Sequence, residues 1–178
     1  MQSWVILFRG INVGGNNIVP MAELRALMTE IGFEGAQTYI QSGNLVLQAD
    51  WEVADITSSI VSVVEEKFGF KPHLMVLSLA DFGAAINANP FPEAVADPKT
   101  LHLFFTAETS PTPDMAAMEK WKTESETFKL IDTVFYLHAP DGIGRSKLAA
   151  RVERLLGVDT TARNWRSALK IQELARGL

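Results

Sequence analysis

The residues best equipped for chemistry cluster where an apolar run ends. Trp4 to Phe8 is followed by Arg9, a permanent cation, and then by the Gly/Asn-rich stretch Gly10 to Asn17 before a helical pattern begins. Gly14 and Gly15 let the backbone take positive φ and present N–H groups, and Asn12 adds an amide, so the loop suits an oxyanion. It is not a dinucleotide fingerprint, which needs G-x-G-x-x-G, nor a Walker loop, which closes on G-K-[ST]. A second polar stretch, Gln41, Ser42 and Asn44 around Gly43, offers two amides and a hydroxyl for hydrogen bonding to oxyanions or base edges. Asn and Gly also serve ordinary turns, which is the competing reading of both stretches.

Two further candidates lie near the C-terminus. Asp141 to Lys147, DGIGRSK, is read as a Gly-rich turn that delivers Ser146 and Lys147 to a helix N-terminus, where N–H groups, dipole and ammonium can hold a phosphate. An ordinary turn and cap is the alternative. Arg163, Arg166, Ser167 and Lys170 then fall on one face of a final helix, with Trp165, Ala168, Leu169 and Gln172 opposite. A solvated charged face is the commoner explanation of such a stripe, and Leu174 interrupts it by falling on the basic side. Arg163, Asn164 and Lys170 nonetheless join the candidate ligand set.

Charge supports an anionic partner. Residues 142–178 carry eight Lys/Arg against three Asp/Glu, a balance of +5, within a chain whose net charge is −5, so residues 1–141 hold −10. A basic tail docked on an acidic body is the other explanation. The chain has no cysteine, which excludes disulfides, thiolate metal sites and a cysteine nucleophile and is compatible with a cytoplasmic location. His73, His102 and His138 fall in three separate expected strands without acidic residues at ligand spacing, so no metal site is expected. G-x-S-x-G, H-E-x-x-H and S-x-x-K are all missing, so no hydrolytic nucleophile or base stands out and no catalytic residue or cofactor is assigned. No uncharged apolar run approaches the roughly 18 residues of a membrane span, so no membrane partner is expected.

The elements that must position these groups follow from periodicity. After the Trp4 to Phe8 strand, Met21, Leu24, Leu27, Met28 and Ile31 mark a first helix. Gln37 to Gln41 and Leu45 to Ala49 read as a hairpin, Ile56, Ile60, Val63, Val64 and Phe68 as a second helix, and Lys71 to Leu77 as a fourth strand. This β-α-β-β-α-β order predicts a ferredoxin-like, split βαβ subdomain over residues 1–77 within an α+β protein. Strands one and two then run parallel, which brings the Arg9 to Asn17 loop and the Gln41 to Asn44 turn to the same edge of the sheet.

Ser78 and Asp81 signal the cap of a connecting helix, and Asn89-Pro90-Phe91-Pro92 ends a connector over 78–99. Residues 100–178 repeat β-α-β-β-α: a strand from Thr100 to Thr106, a helix opened by Thr112-Pro113-Asp114, a hairpin of Phe128 to Ile131 with Thr133 to His138, and a helix from Ser146 to Leu156. A last helix near Arg163 to Ala175 stands where a closing strand would fall.

RGINVGG at Arg9 to Gly15, YIQSGN at Tyr39 to Asn44, NPF at Asn89 to Phe91, GIGRSKL at Gly142 to Leu148 and TARNW at Thr161 to Trp165 together resemble the bacterial family called domain of unknown function 1697. The resemblance implies a two-subdomain α+β fold with a ferredoxin-like N-terminal part, and it carries no reaction and no catalytic residue. Arg166 departs from the pattern, where an uncharged residue is more usual. The functional expectation is a protein binding a phosphate-bearing small molecule, nucleotide-like, through the Arg9 loop, the Gln41 to Asn44 turn and Lys147, Arg163 and Lys170. Two alternatives stay open: a nucleic-acid-binding module, or a protein-interaction domain without a small ligand.

Overall fold

The computed structural model describes residues 1–107 and 112–178. The chain divides into two units, Met1–Ala84 with Leu169–Leu178, and Ala85–Ala168. Each has an antiparallel four-stranded sheet, and together the described residues form an α+β fold.

In the first unit β1 (Gln2–Arg9), α1 (Met21–Glu30), β2 (Glu34–Tyr39), β3 (Asn44–Ala49), α2 (Val53–Phe68) and β4 (His73–Ser78) make a sheet in the order β2-β3-β1-β4. The pairing of β1 with β3 runs from Gln2 opposite Ala49 to Leu7 opposite Asn44. Trp4, Ile6 and Phe8 alternate onto the same face as Leu45 and Leu47, where Met21, Leu24 and Met28 of α1 and Ile56, Ile60 and Val64 of α2 close over them. The intervening Val5, Leu7 and Val46 are buried too. Burial on both faces is why β1 reads as an unbroken apolar run and not as an alternating one.

In the second unit α3 (Leu79–Asn87), which starts in the first, leads to β5 (Leu101–Thr106), α4 (Met115–Trp121), β6 (Thr127–Ile131), β7 (Val134–His138), α5 (Val152–Leu156), β8 (Thr160–Asn164) and the start of α6 (Trp165–Arg176). Its sheet order, β6-β7-β5-β8, repeats the first unit's. Two elements differ from the sequence expectation. β8 completes the repeat, pairing from His102 opposite Asn164 to Thr106 opposite Thr160, so Arg163 and Asn164 are strand residues and not part of the last helix. The helix expected from Ser146 to Leu156 is instead one 3-10 turn, Ala149–Arg151, followed by the five-residue α5, with another 3-10 turn, Ile143–Arg145, just ahead of Ser146. Arg151, at φ −124°, interrupts the helical path, and its guanidinium lies 3.8 Å above the Trp121 ring.

One strand residue of this unit gives a pH prediction. His102 is buried with its Nδ1 unbonded among the described residues, and burial lowers its pKa from 6.5 to about 4 against an opposing pull from the Thr100 backbone. The unfolded chain therefore binds the proton more tightly. The stabilising neutral form is fully present above pH 6.5, and the contribution is lost as pH falls towards 4. Wild type should lose about 3 kcal/mol more stability than His102→Leu over that window, measured by urea unfolding at each pH. Parallel curves for the two proteins would refute this.

Candidate functional site

The loop after β1 is built on left-handed residues: Gly10, Asn12, Gly14, Gly15 and Asn17 all have φ between 50° and 77°. Gly14 and Gly15 are the central pair of a tight turn closed by Asn16 N–H to the Val13 carbonyl at 3.1 Å. Positive φ at both positions is what such a turn requires, and only glycine takes it freely. Asn12 is the fastener. Its Nδ2 donates to the Val19 carbonyl (3.0 Å) and to the Gln41 carbonyl (2.8 Å), while its Oδ1 accepts from the Val19 N–H (2.8 Å). The two polar loops expected at one sheet edge are thus joined by a hydrogen bond across 29 residues of sequence.

On the other side of that bond, Asn44 is buried and its Nδ2 donates to the Tyr39 carbonyl and the Ser42 Oγ, both at 3.0 Å. Phe8 N–H donates to the Gly43 carbonyl at 2.8 Å. Ile40 is the unexpected member: it is β-branched, has φ 50°, and is 51% exposed. Left-handed backbone at a β-branched residue is a rare and strained arrangement. Nothing in the sequence marks it. Arg9, part-buried, closes β1 opposite His73, and the Gln41 side chain is exposed in the turn. Arg9, Asn12, Gly14, Gly15, Gln41, Ser42 and Asn44 therefore all lie on the end of β1 and the two loops fastened beside it.

The C-terminal candidates have different surroundings. Ser146 is buried and its Oγ accepts from Ala149 N–H at 2.9 Å, capping a 3-10 turn, while Lys147 is exposed and its carbonyl accepts from Arg151 Nη1. Without a helix from 146 to 156, no aligned dipole backs this turn. Asn164 Oδ1 accepts from Ser167 N–H at 2.9 Å, the N-cap of α6. Arg163 is buried on the sheet face it shares with Leu103, and its Nη1 donates to Thr161 Oγ1 and the Ala162 carbonyl, each at 2.8 Å. Desolvation lowers its pKa to about 10, still fully cationic near neutrality. Lys170 pairs with Glu173 at 2.9 Å on α6. Arg163 and Lys170 do not share a helical stripe, because Arg163 precedes the helix. Leu169, expected on the packed face, is 42% exposed, and Ser167 is buried in its stead.

No curated protein matches this sequence. Among solved structures the chain is similar to the conserved bacterial protein SP0830 from Streptococcus pneumoniae, with a TM-score of 0.75 and 24% identity over 98% of each chain, a likeness of fold alone. Residues 1–136 match the family described as protein of unknown function (DUF1697), most of the chain, and the protein belongs to that family.

Proposed function

We propose that the protein binds a phosphate-bearing small molecule, nucleotide-like, at the edge of the first sheet where the Gly10–Asn17 loop and the Ile40–Asn44 turn meet. The observation that carries this reading is the strained, exposed Ile40 held in a turn that Asn12 ties to the glycine loop. An exposed isoleucine adds little core packing to offset a left-handed backbone, and strain of this kind, on the order of 1–3 kcal/mol, concentrates at ligand-binding sites. Turns already fixed before binding lower the ordering cost of holding a ligand with backbone N–H groups. Arg9 adds a cation at the strand end. On this reading each unit is a ferredoxin-like split βαβ and the protein is cytoplasmic, in keeping with the lack of cysteine and the lack, among described residues, of any helix long and apolar enough to cross a membrane.

The nucleic-acid alternative draws less support. RNA-recognition sheets stack bases on aromatics of an open face. Here Trp4 and Phe8 point into the helix-covered core, and Val5, Leu7 and Val46 on the opposite face are aliphatic and buried.

Calorimetric titration with inorganic pyrophosphate and with nucleoside triphosphates tests the proposal. Wild type should bind one of these classes, and Arg9→Ala should weaken it by about 1.5–3 kcal/mol, tenfold or more, as for a lost charged hydrogen bond. Lys147→Ala and Lys170→Ala report whether the C-terminal cations contribute. Absence of binding, or equal affinity in Arg9→Ala, removes this reading.

A further inference from the structure

The outer seam of the two helices in the first unit is a separate surface. α1 and α2 send Leu24, Met28, Ile60 and Val64 into the core, and leave Leu27, Ile31 and Val63 half-buried along the line between them. Two adjoining hollows of about 440 and 400 Å³ lie on this line, one on either side of Ile31 and Val63, which line both, and together they furrow the seam. At one end stands Trp51, 38% exposed, its ring braced at 4.8 Å on the buried Phe33. A large aromatic held by a core ring is a rigid anchor, which costs little side-chain entropy to bury against a partner.

The other end is acidic. Glu30 and Glu66 line it beside Lys67, whose ammonium already faces Glu23 at 3.8 Å. Neither Glu30 nor Glu66 has an ion-pair partner among the described residues. The two helices carry Glu23, Glu30, Asp55, Glu65 and Glu66 against Arg25 and Lys67, and Arg25 is engaged with Thr38 Oγ1. The furrow thus combines Leu27, Ile31 and Val63 along its middle, an aromatic anchor beside Ser58, Ser59 and Ser62 of α2 at one end, and two carboxylates beside a single lysine at the other.

We propose that this furrow docks a basic amphipathic helix of a partner protein. Its apolar stripe, at i, i+3 or i+4, and i+7, lies on Leu27, Ile31, Val63 and Trp51, and its Lys or Arg side chains meet Glu30 and Glu66. Charge favours this occupant over a second copy of the chain, whose own seam carries the same carboxylates on a body of net charge −5.

Two synthetic peptides of about 18 residues with the same leucine stripe, one Lys-rich and one Glu-rich on the polar face, provide the test when titrated into the full chain. The Lys-rich peptide should bind, at least about tenfold tighter than the Glu-rich one, and should weaken several-fold as salt rises from about 0.05 to 0.5 M. The doubly reversed Glu30→Lys, Glu66→Lys protein, whose changes fall on exposed side chains and should leave its melting temperature unaltered, should lose about tenfold or more of that affinity, and Trp51→Ala should lose a similar factor. Equal binding of both peptides, no binding of the Lys-rich peptide at about 1 mM, or undiminished binding by the doubly reversed protein would each overturn the assignment. So would a wild-type dimer abolished by the same two reversals, which would make the furrow a self-contact.

Discussion

A chain ending at Ala168 should melt about 10 °C or more below the full-length protein, although it lacks only the far part of one helix. From Leu169 onwards α6 counts with the first unit, where Ile171 is wholly buried and Ala175 is 1% exposed. Gln172 Nε2 lies 3.2 Å from where a Cβ would stand on Gly83, and the Leu178 side chain sits directly over Gly35. Burying one isoleucine is worth about 1.5–3 kcal/mol, and truncation also uncovers the surfaces that Ile171, Gln172, Ala175 and Leu178 now shield, for a loss of about 4 kcal/mol. In a chain of this size each kcal/mol moves the midpoint by about 2–4 °C. Residues 142–178 carry +5 in a chain whose remainder is −10, but residues 169–178 hold only Lys170 and Arg176 against Glu173, neither cation is buried, and the buried positions are apolar or neutral. Apolar packing therefore dominates. Raising salt should leave the difference between the two chains nearly unchanged, and Ile171→Ala alone should cost about 2–4 kcal/mol. A truncated chain melting within about 2 °C of full length would show that α6 beyond Ala168 adds no stability.

The elements that sequence reveals here are those whose burial pattern is local. Met21, Leu24 and Met28, and Ile56, Ile60 and Val64, recur at helical spacing because each helix buries one stripe, and both helices are present as expected. The Ser78–Asp81 cap is likewise a short-range interaction, Asp81 N–H donating to Ser78 Oγ at 3.0 Å. β8 is different. Thr160-Thr161-Ala162-Arg163-Asn164 is only five residues long and runs straight into a helix, so its strand character comes from pairing with β5, more than fifty residues earlier. Local pattern extends the helix backwards over Arg163 and misses the N-cap role of Asn164. The candidate site divides the same way. Glycines at 14 and 15 announce a positive-φ turn, which the structure contains. The Asn12 bond to Gln41 and the left-handed Ile40 depend on where two loops meet in space, and strand order alone brings those loops together without fixing the atoms that hold them.

Gly43→Ala should be the most damaging single methyl added to this protein, costing about 3 kcal/mol or more in urea unfolding. Gly43 has φ 76°, which an L-residue with a Cβ takes at a cost of roughly 1–2 kcal/mol. Steric contact costs more. A Cβ here would lie 2.6 Å from Phe8 Cβ and 2.8 Å from Ile11 Cδ1, both in buried side chains of the first core, and the nearer is not a flexible chain end. Overpacking of that kind adds about 1–3 kcal/mol. Retreat of the turn is opposed by the Phe8 N–H bond to the Gly43 carbonyl and by the Asn12 bond to Gln41 two residues earlier. Gly15→Ala separates backbone strain from steric contact, because Gly15 has nearly the same φ, 77°, with no atom within 4 Å of the added methyl. It should cost about 1 kcal/mol. Equal losses in the two variants would assign the whole effect to backbone conformation. A difference of about 2 kcal/mol, within the range for overpacking, instead assigns it to the close approach of the turn to β1, the approach that brings Gln41 within reach of Asn12 and joins the two loops of the candidate site.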